Sequence, residues 1–226
     1  KAITTGVQNT IVGGNAGYAL TTGGGNVAIG YSALSTETTG NQNIAIGKDA
    51  LGSSELSQHN IALGQGSLEN VTSGSLANTY NIGIGYNAGN DINSGQKNIL
   101  IGGIAGDALT SEGNNIGIGY AALGACTASS NVAIGKDAML AATTAASSTV
   151  VGYLANGAGI MTGDFNSLFG AESGKALTSG TFNVLIGNSA GEAMTTSGSN
   201  VAVGQESLFT NVKGSNCVAI GRQALK

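Results

Sequence analysis

Hydrophobic positions in this chain come in short runs that end on a glycine. Asn-Val-Ala-Ile-Gly at 26–30 is followed by Asn-Ile-Ala-Ile-Gly at 43–47, Asn-Ile-Ala-Leu-Gly at 60–64 and Asn-Ile-Gly-Ile-Gly at 81–85. The run recurs to the end of the chain, giving thirteen anchor glycines from Gly13 to Gly221. Nine of the twelve spacings are 17 residues; the others are 21 (Gly64 to Gly85), 16 (Gly119 to Gly135) and 18 (Gly152 to Gly170). A large apolar residue precedes every anchor, and Ala or Ser stands three places after it. Asn stands four places before the anchor in eleven copies, with Ser148 and Cys217 as the departures. A column fixed across copies of one chain means that each copy solves the same packing problem. Seventeen residues are too few to bury a core alone, but stacked copies bury one continuously.

The period within each run is two and its residues are mostly β-branched, which predicts a short strand. Helix is disfavoured, because several glycines per repeat each cost about 1 kcal/mol in a helix. The anchor glycine and a later Gly, often in Thr-Gly or Ser-Gly (Gly23, Gly40, Gly95, Gly180, Gly214), predict corners with positive φ. A second short strand is expected around the Ala-Leu that follows the first corner, at 33–34 in the second copy. The expected fold is all-β: a parallel β-solenoid of about 13 coils on a 17-residue repeat. Coils stacked about 4.8 Å apart would span roughly 60 Å.

Alternation also predicts two strand faces. The residue before each anchor is assigned to the coil's own core: Ile29, Ile46, Leu63, Ile84, Ile101, Ile118, Ile134, Ile186 and Ile220. The middle residue points the other way. It is small or apolar in every copy, never charged or polar, and is Ala28, Ala45, Leu100, Leu168 or Leu185 in typical examples. A strand face turned to water should carry polar residues. These middle residues are therefore assigned to packing between chains, which makes the protein self-associate as a closed assembly. The Asn column is expected to form a hydrogen-bonded ladder along the stack.

Composition narrows the function. The 226 residues include 39 Gly and no Pro or Trp; 9% are charged and the net charge is −4. No Lys/Arg cluster exists to neutralise phosphates, so nucleic acid is not expected as a partner. No apolar run approaches the eighteen residues of a spanning helix, so membrane insertion is not expected either. The first residues lack the apolar core of a signal peptide. Cys126 and Cys217 form neither a disulfide framework nor a metal pair, and both are expected as small fillers. The five Asp residues share no column that would bind calcium. Gly-Ala-Glu-Ser-Gly-Lys-Ala at 170–176 resembles a phosphate loop, but its spacing is one residue short and Ala176 stands where a hydroxyl is needed. His59 is the only histidine and sits beside an arm, as a solvated turn residue would. No cofactor, metal or catalytic group is expected, and the chain is not read as an enzyme. Charged residues avoid the strand runs and fall just after the anchors or in the arms. Tyr31, Tyr86, Tyr120 and Tyr153 follow their anchors directly and are candidate receptor contacts. So is Tyr80, which lies in the one long insertion, 72–81, where a loop leaves the scaffold.

The motif Asn-[Val/Ile]-[Ala/Gly]-Ile-Gly-x-x-Ala, followed by a Thr/Ser-Gly arm, resembles the head repeats of trimeric autotransporter adhesins (YadA-like heads). The residues 215–224 are closest to that form. The residues 81–96 are closer to the longer-armed repeat of phage tail fibres. The resemblance covers essentially the whole chain and favours the tail fibre through the 17-residue period. It implies a left-handed parallel β-roll, a side-by-side homotrimer and a role in attachment. A virion location and a host cell-surface receptor follow, with glycans among the candidate receptors. A bacterial surface adhesin head is the alternative; an ice- or surface-binding solenoid is less favoured, because the Thr column at 22, 39, 144 and 196 is interrupted. The chain begins with half an arm and stops inside a repeat, as an internal portion of a longer fibre would.

Overall fold

The computed structural model describes residues 4–226. They form two compact units, one ending at Asn115 and one from Ile116 to Lys226, with no α-helix among the described residues. In the first unit the run before each anchor forms a strand: β1 (Thr10–Val12), β2 (Val27–Ile29) and β3 (Ile44–Ile46). The arm strand β4 (Glu55–Gln58) precedes β5 (Ile61–Leu63). Then come β6 (Thr72–Asn78), β7 (Ile82–Ile84) and β8 (Ile99–Ile101). The second unit holds β9 (Ile116–Ile118), β10 (Val132–Ile134), β11 (Thr149–Val151), β12 (Ser167–Phe169), β13 (Val184–Ile186), β14 (Val201–Val203) and β15 (Val218–Ile220). Within each unit every such strand pairs in parallel with the equivalent residues of the next coil, as Val27 with Ile44 and Val184 with Val201. The repeat is therefore a β-solenoid, with one three-residue strand per coil.

The anchor glycines are fixed twice over. Their φ lies between +118° and +143°, where L side chains are strained. In addition, a Cβ on Gly30 would stand 2.6 Å from the carbonyl oxygen of Gly47, and one on Gly187 2.5 Å from that of Gly204. The arm glycines differ from expectation. Gly23, Gly40, Gly95 and Gly180 are absent from the positive-φ residues. They are glycine because the next arm passes too close: a Cβ would meet a carbonyl oxygen at 2.1–2.4 Å. The expected second strand at 33–34 is a turn instead. Leu34 has φ +53°, which breaks the extended geometry that a strand requires.

The two strand faces are the reverse of the sequence expectation. The middle residues Ala28, Ala45, Leu100, Leu168 and Leu185 are fully buried inside their own chain. The residues before the anchors face outward: Ile46, Ile134 and Ile186 are 36–40% exposed and Ile220 is 71% exposed. Ile29, Leu63, Ile84, Ile101 and Ile118 are half-buried. The turn after the anchor explains the inversion. It carries the chain back over the middle residue, and the residue four places after the anchor fills the coil from the opposite wall.

Those two positions share one volume. Where the middle residue is Ala28, Ala45 or Ala62, the opposite residue is Leu34, Leu51 or Leu68. Where it is Ile11, Leu100, Leu168 or Leu185, the opposite residue is Gly17, Gly106, Gly174 or Gly191. A Cβ on Gly191 would sit 2.8 Å from Leu185 Cδ1, and one on Gly106 2.6 Å from Leu100 Cδ2. The coil with Gly83 and Gly89 at both positions is filled by its neighbours, since a Cβ there would meet Leu68 at 2.7 Å or Leu100 at 2.7 Å. Close packing allows one large apolar side chain at these two positions in such coils; Val150 and Asn156, both fully buried, share the space in theirs.

A polar spine runs beside this core. Asn26, Asn43, Asn60, Asn81 and Asn98 are fully buried. The backbone N–H of each donates to Oδ1 of the Asn one coil earlier, at 2.9–3.0 Å. The Nδ2 groups of Asn26 and Asn43 donate across the coil to the arm carbonyls of Gly40 and Ser57, both at 2.9 Å. Asn166, Asn183 and Asn200 repeat the ladder in the second unit. Ser148 continues it with its own Oγ, which accepts from Asn166 N–H at 3.1 Å. Buried amides must find partners, and this column supplies them to strand and arm together.

Candidate functional site

Each unit presents an apolar stripe, two side chains wide, on the outer face of its sheet. In the first unit it runs through Val27 and Ile29, Ile44 and Ile46, Ile61 and Leu63, Ile82 and Ile84, and Ile99 and Ile101, all half-buried or exposed. In the second it runs from Ile116 and Ile118 to Val218 and Ile220, with Thr149 and Ser167 as its only hydroxyl residues. Scattered apolar residues on a surface are ordinary, but a contiguous stripe marks an interaction site. The outward apolar face is therefore on the opposite side from the one assigned between chains.

Two edges flank the stripe. On one, the residue after each anchor is exposed: Tyr31, Tyr86, Tyr120 and Tyr153 are each 50–57% exposed. Lys48 and Lys136 share this column and pair at 3.5 Å with Asp49 and Asp137, the next residues along the chain. Lys136 Nζ also lies 5.8 Å from the centre of the Tyr153 ring. On the other edge, the residue just before each column Asn has a left-handed backbone. Gln42, His59, Tyr80 and Lys97 have φ +57°, +61°, +51° and +59°; Phe165 and Phe182 have +60° and +58°. The angle belongs to the corner of the repeat, since Ser130, Ser147 and Ser199 hold it at the same place. Phe165 and Phe182 stack at 5.1 Å between ring centres and are 52% and 58% exposed.

The insertion is structured. β6 pairs in parallel with β4, matching Glu55 to Thr72 and Ser57 to Ala77, so the offset rises from 17 to 20 residues through a bulge. The fourth extra residue is absorbed near Thr79, whose hydroxyl donates to Asn60 Oδ1 at 2.8 Å. Gly74, Ser75 and Leu76 protrude from the bulge into solvent. His59 is not a freely solvated turn residue. It is half-buried, its ring lies 5.0 Å from that of Tyr80, and its Nδ1 is buried without a hydrogen-bond partner.

Sequence reasoning missed Glu37. It lies in the arm, in a column that holds Leu20, Ile92, Leu109, Leu177 and Met194 in other coils. That apolar company was the available sign of burial. The carboxylate is fully buried and accepts five backbone N–H bonds. Oε1 takes Thr38, Thr39, Gly40 and Leu56 at 2.7–3.2 Å, and Oε2 takes Ser57 at 3.1 Å. The donors come from two successive arms, so the side chain ties one coil to the next.

The remaining candidates fit the repeat. Ser173, in the phosphate-loop lookalike, is buried and donates to the carbonyl of Leu185 at 2.9 Å. Lys175 pairs with Glu172 at 3.0 Å, and this hydrogen bond raises its pKa above the usual lysine value. Cys126 is buried, as expected for a filler, and Cys217 is half-buried. Among the described residues no cluster of His, Cys, Asp or Glu could hold a metal ion, and no helix is long and apolar enough to cross a membrane.

No protein-family model matches the chain, and no curated protein or solved structure matches it either. The reading of function therefore rests on the fold and its surfaces. Three surfaces remain in view: an apolar stripe, a tyrosine-bearing edge, and an opposite edge of chemically varied side chains.

Proposed function

We propose that the chain is a structural segment of a phage tail fibre, in which three copies lie side by side and serve attachment to a host surface. The observation that carries this reading is the apolar stripe. Water on that face would be unfavourable by about 25 cal/mol for each Å² of apolar surface. An identical stripe on another copy offers the same coil spacing and the same row of β-branched side chains. Closed symmetry then removes the stripe from solvent on every copy. Stacked parallel coils bound by backbone hydrogen bonds and by the Asn spine provide stiffness. Weak surface contacts repeated on three chains add by avidity, which suits a protein whose edges carry many exposed side chains.

Sedimentation equilibrium of the 22.0 kDa chain tests the assembly, and a trimer is the expected species. Antibody labelling of this segment on intact phage particles tests the location. Labelling of a bacterial surface instead would move the assignment to an adhesin head. A stable monomer at all concentrations would refute the role given to the stripe.

A further inference from the structure

The edge before the Asn column carries its most varied chemistry in the first unit. Gln42, His59, Tyr80 and Lys97 occupy it in four successive coils. Gln42, Tyr80 and Lys97 are exposed and His59 is half-buried. All four hold the left-handed backbone that every copy of this column shares. The insertion occurs at this place alone, and it lays β6 against β4 just before the two rings. Among the described residues Lys97 has no ion-pair partner, unlike Lys48, Lys136, Lys175 and Lys226. No Asp or Glu occupies this column in either unit, although the chain holds 12 acidic residues against 8 basic ones.

The shape of the row selects the ligand. It offers one side chain per coil, three of the four exposed, whereas a peptide anchor needs a desolvated pocket to fill. A linear saccharide suits an exposed row. The C–H face of a pyranose packs on an aromatic ring, and its hydroxyls pair with an amide or an imidazole. Coils repeat about every 4.8 Å, close to the rise of one sugar in an extended chain. The unpaired ammonium of Lys97, in a column free of carboxylates, adds a place for negative charge.

We propose that Gln42, His59, Tyr80 and Lys97, backed by β4 and β6, bind a linear acidic saccharide. Tyr80 stacks on a pyranose ring and Lys97 pairs with its carboxylate or sulfate. This deepens the attachment reading and rests on it, since it names the ligand that such a fibre would meet.

Calorimetric titration of the full chain with oligogalacturonate, a heparin-derived oligosaccharide and maltohexaose tests the idea and separates carboxylate from sulfate. Saturable binding of an acidic probe is expected, with Kd of about 10 μM to 1 mM, and weaker binding of maltohexaose. Tyr80→Ala should weaken it about tenfold. Lys97→Gln should weaken it about fivefold and flatten its salt dependence. Thr196→Ala, in the second unit, should leave it unchanged. Failure of both acidic probes to bind, or equal binding by the Tyr80 and Lys97 variants, overturns the proposal. Maltohexaose binding as tightly as the acidic probes overturns its charged half. A changed oligomeric state in Tyr80→Ala would assign the row to contact between chains, which also overturns it. Sedimentation of the same samples separates the two levels. Assembly without saccharide binding removes only this inference, whereas a monomer removes the fibre reading beneath it.

Discussion

At the scale of single residues, two kinds of position are costly to exchange. The anchor glycine combines a forbidden φ with a carbonyl where its Cβ would be. Gly187→Ala places a methyl 2.5 Å from Gly204 O at φ +139°. Strain and overpacking together should cost about 3 kcal/mol or more. Gly221, in the last coil, has φ +118° with nothing within 4 Å of a Cβ. Gly221→Ala should therefore cost only the backbone strain, about 1–2 kcal/mol. Urea denaturation of both variants at one chain concentration measures the difference, and equal costs would show that crowding is not the second cause. Glu37 is the other kind. Glu37→Leu matches the apolar column but strands five N–H groups, so a loss of about 3–5 kcal/mol is expected. Glu37→Gln retains an acceptor oxygen and should lose about half as much. If the leucine variant were as stable as the parent, the arm would have to find other partners for those donors.

At the scale of the coil, the shared volume makes a sharper test. Ala28→Leu alone forces a second large side chain against Leu34, and Leu34→Gly alone leaves a cavity; each should cost about 2–4 kcal/mol. The double variant reproduces the arrangement of Leu185 with Gly191, where a Cβ on the glycine would sit 2.8 Å from the leucine. It should recover about 2 kcal/mol or more of the summed loss as coupling energy. Additive losses would mean that the two positions do not fill one space. This pairing also shows what was legible in the sequence. The period, the strands and the anchor corners follow directly from Asn-Val-Ala-Ile-Gly and its copies. The side on which the chain closes does not, because alternation defines two faces without saying which is inside. The evidence lay in a correlation between columns: Gly174 accompanies Leu168 while Leu34 accompanies Ala28. The edge that holds Tyr80 and Lys97 was harder to see, since a column with no residue preference leaves no pattern. Its common feature is a backbone angle. Glu37 was masked by the general rule that charges sit in solvated arms.

At the scale of the whole molecule, the inverted strand faces change how self-association must be probed. Had Ala28 and Leu185 faced a neighbouring chain, enlarging or charging them would have reported on assembly. They are fully buried in their own coils, so such changes would destabilise the chain itself and say nothing about partners. The informative positions are on the stripe. Ile186 is 40% exposed and Ile134 36% exposed, so a long charged side chain at either place can reach water from a lone chain. In a monomer, Ile134→Lys and Ile186→Lys should each change stability by less than about 1 kcal/mol, in the usual range for surface substitutions. In a side-by-side trimer the same changes bring three ammonium groups to one dry axis, where unpaired charge is strongly unfavourable. The expected outcome is dissociation to folded monomers, with the β-type circular dichroism of the parent retained and the sedimentation coefficient reduced. Ile134→Val, which keeps the stripe apolar, should remain assembled. If Ile186→Lys and the parent sediment alike while both stay folded, the stripe does not join the chains, and the attachment role would have to rest on the edges alone.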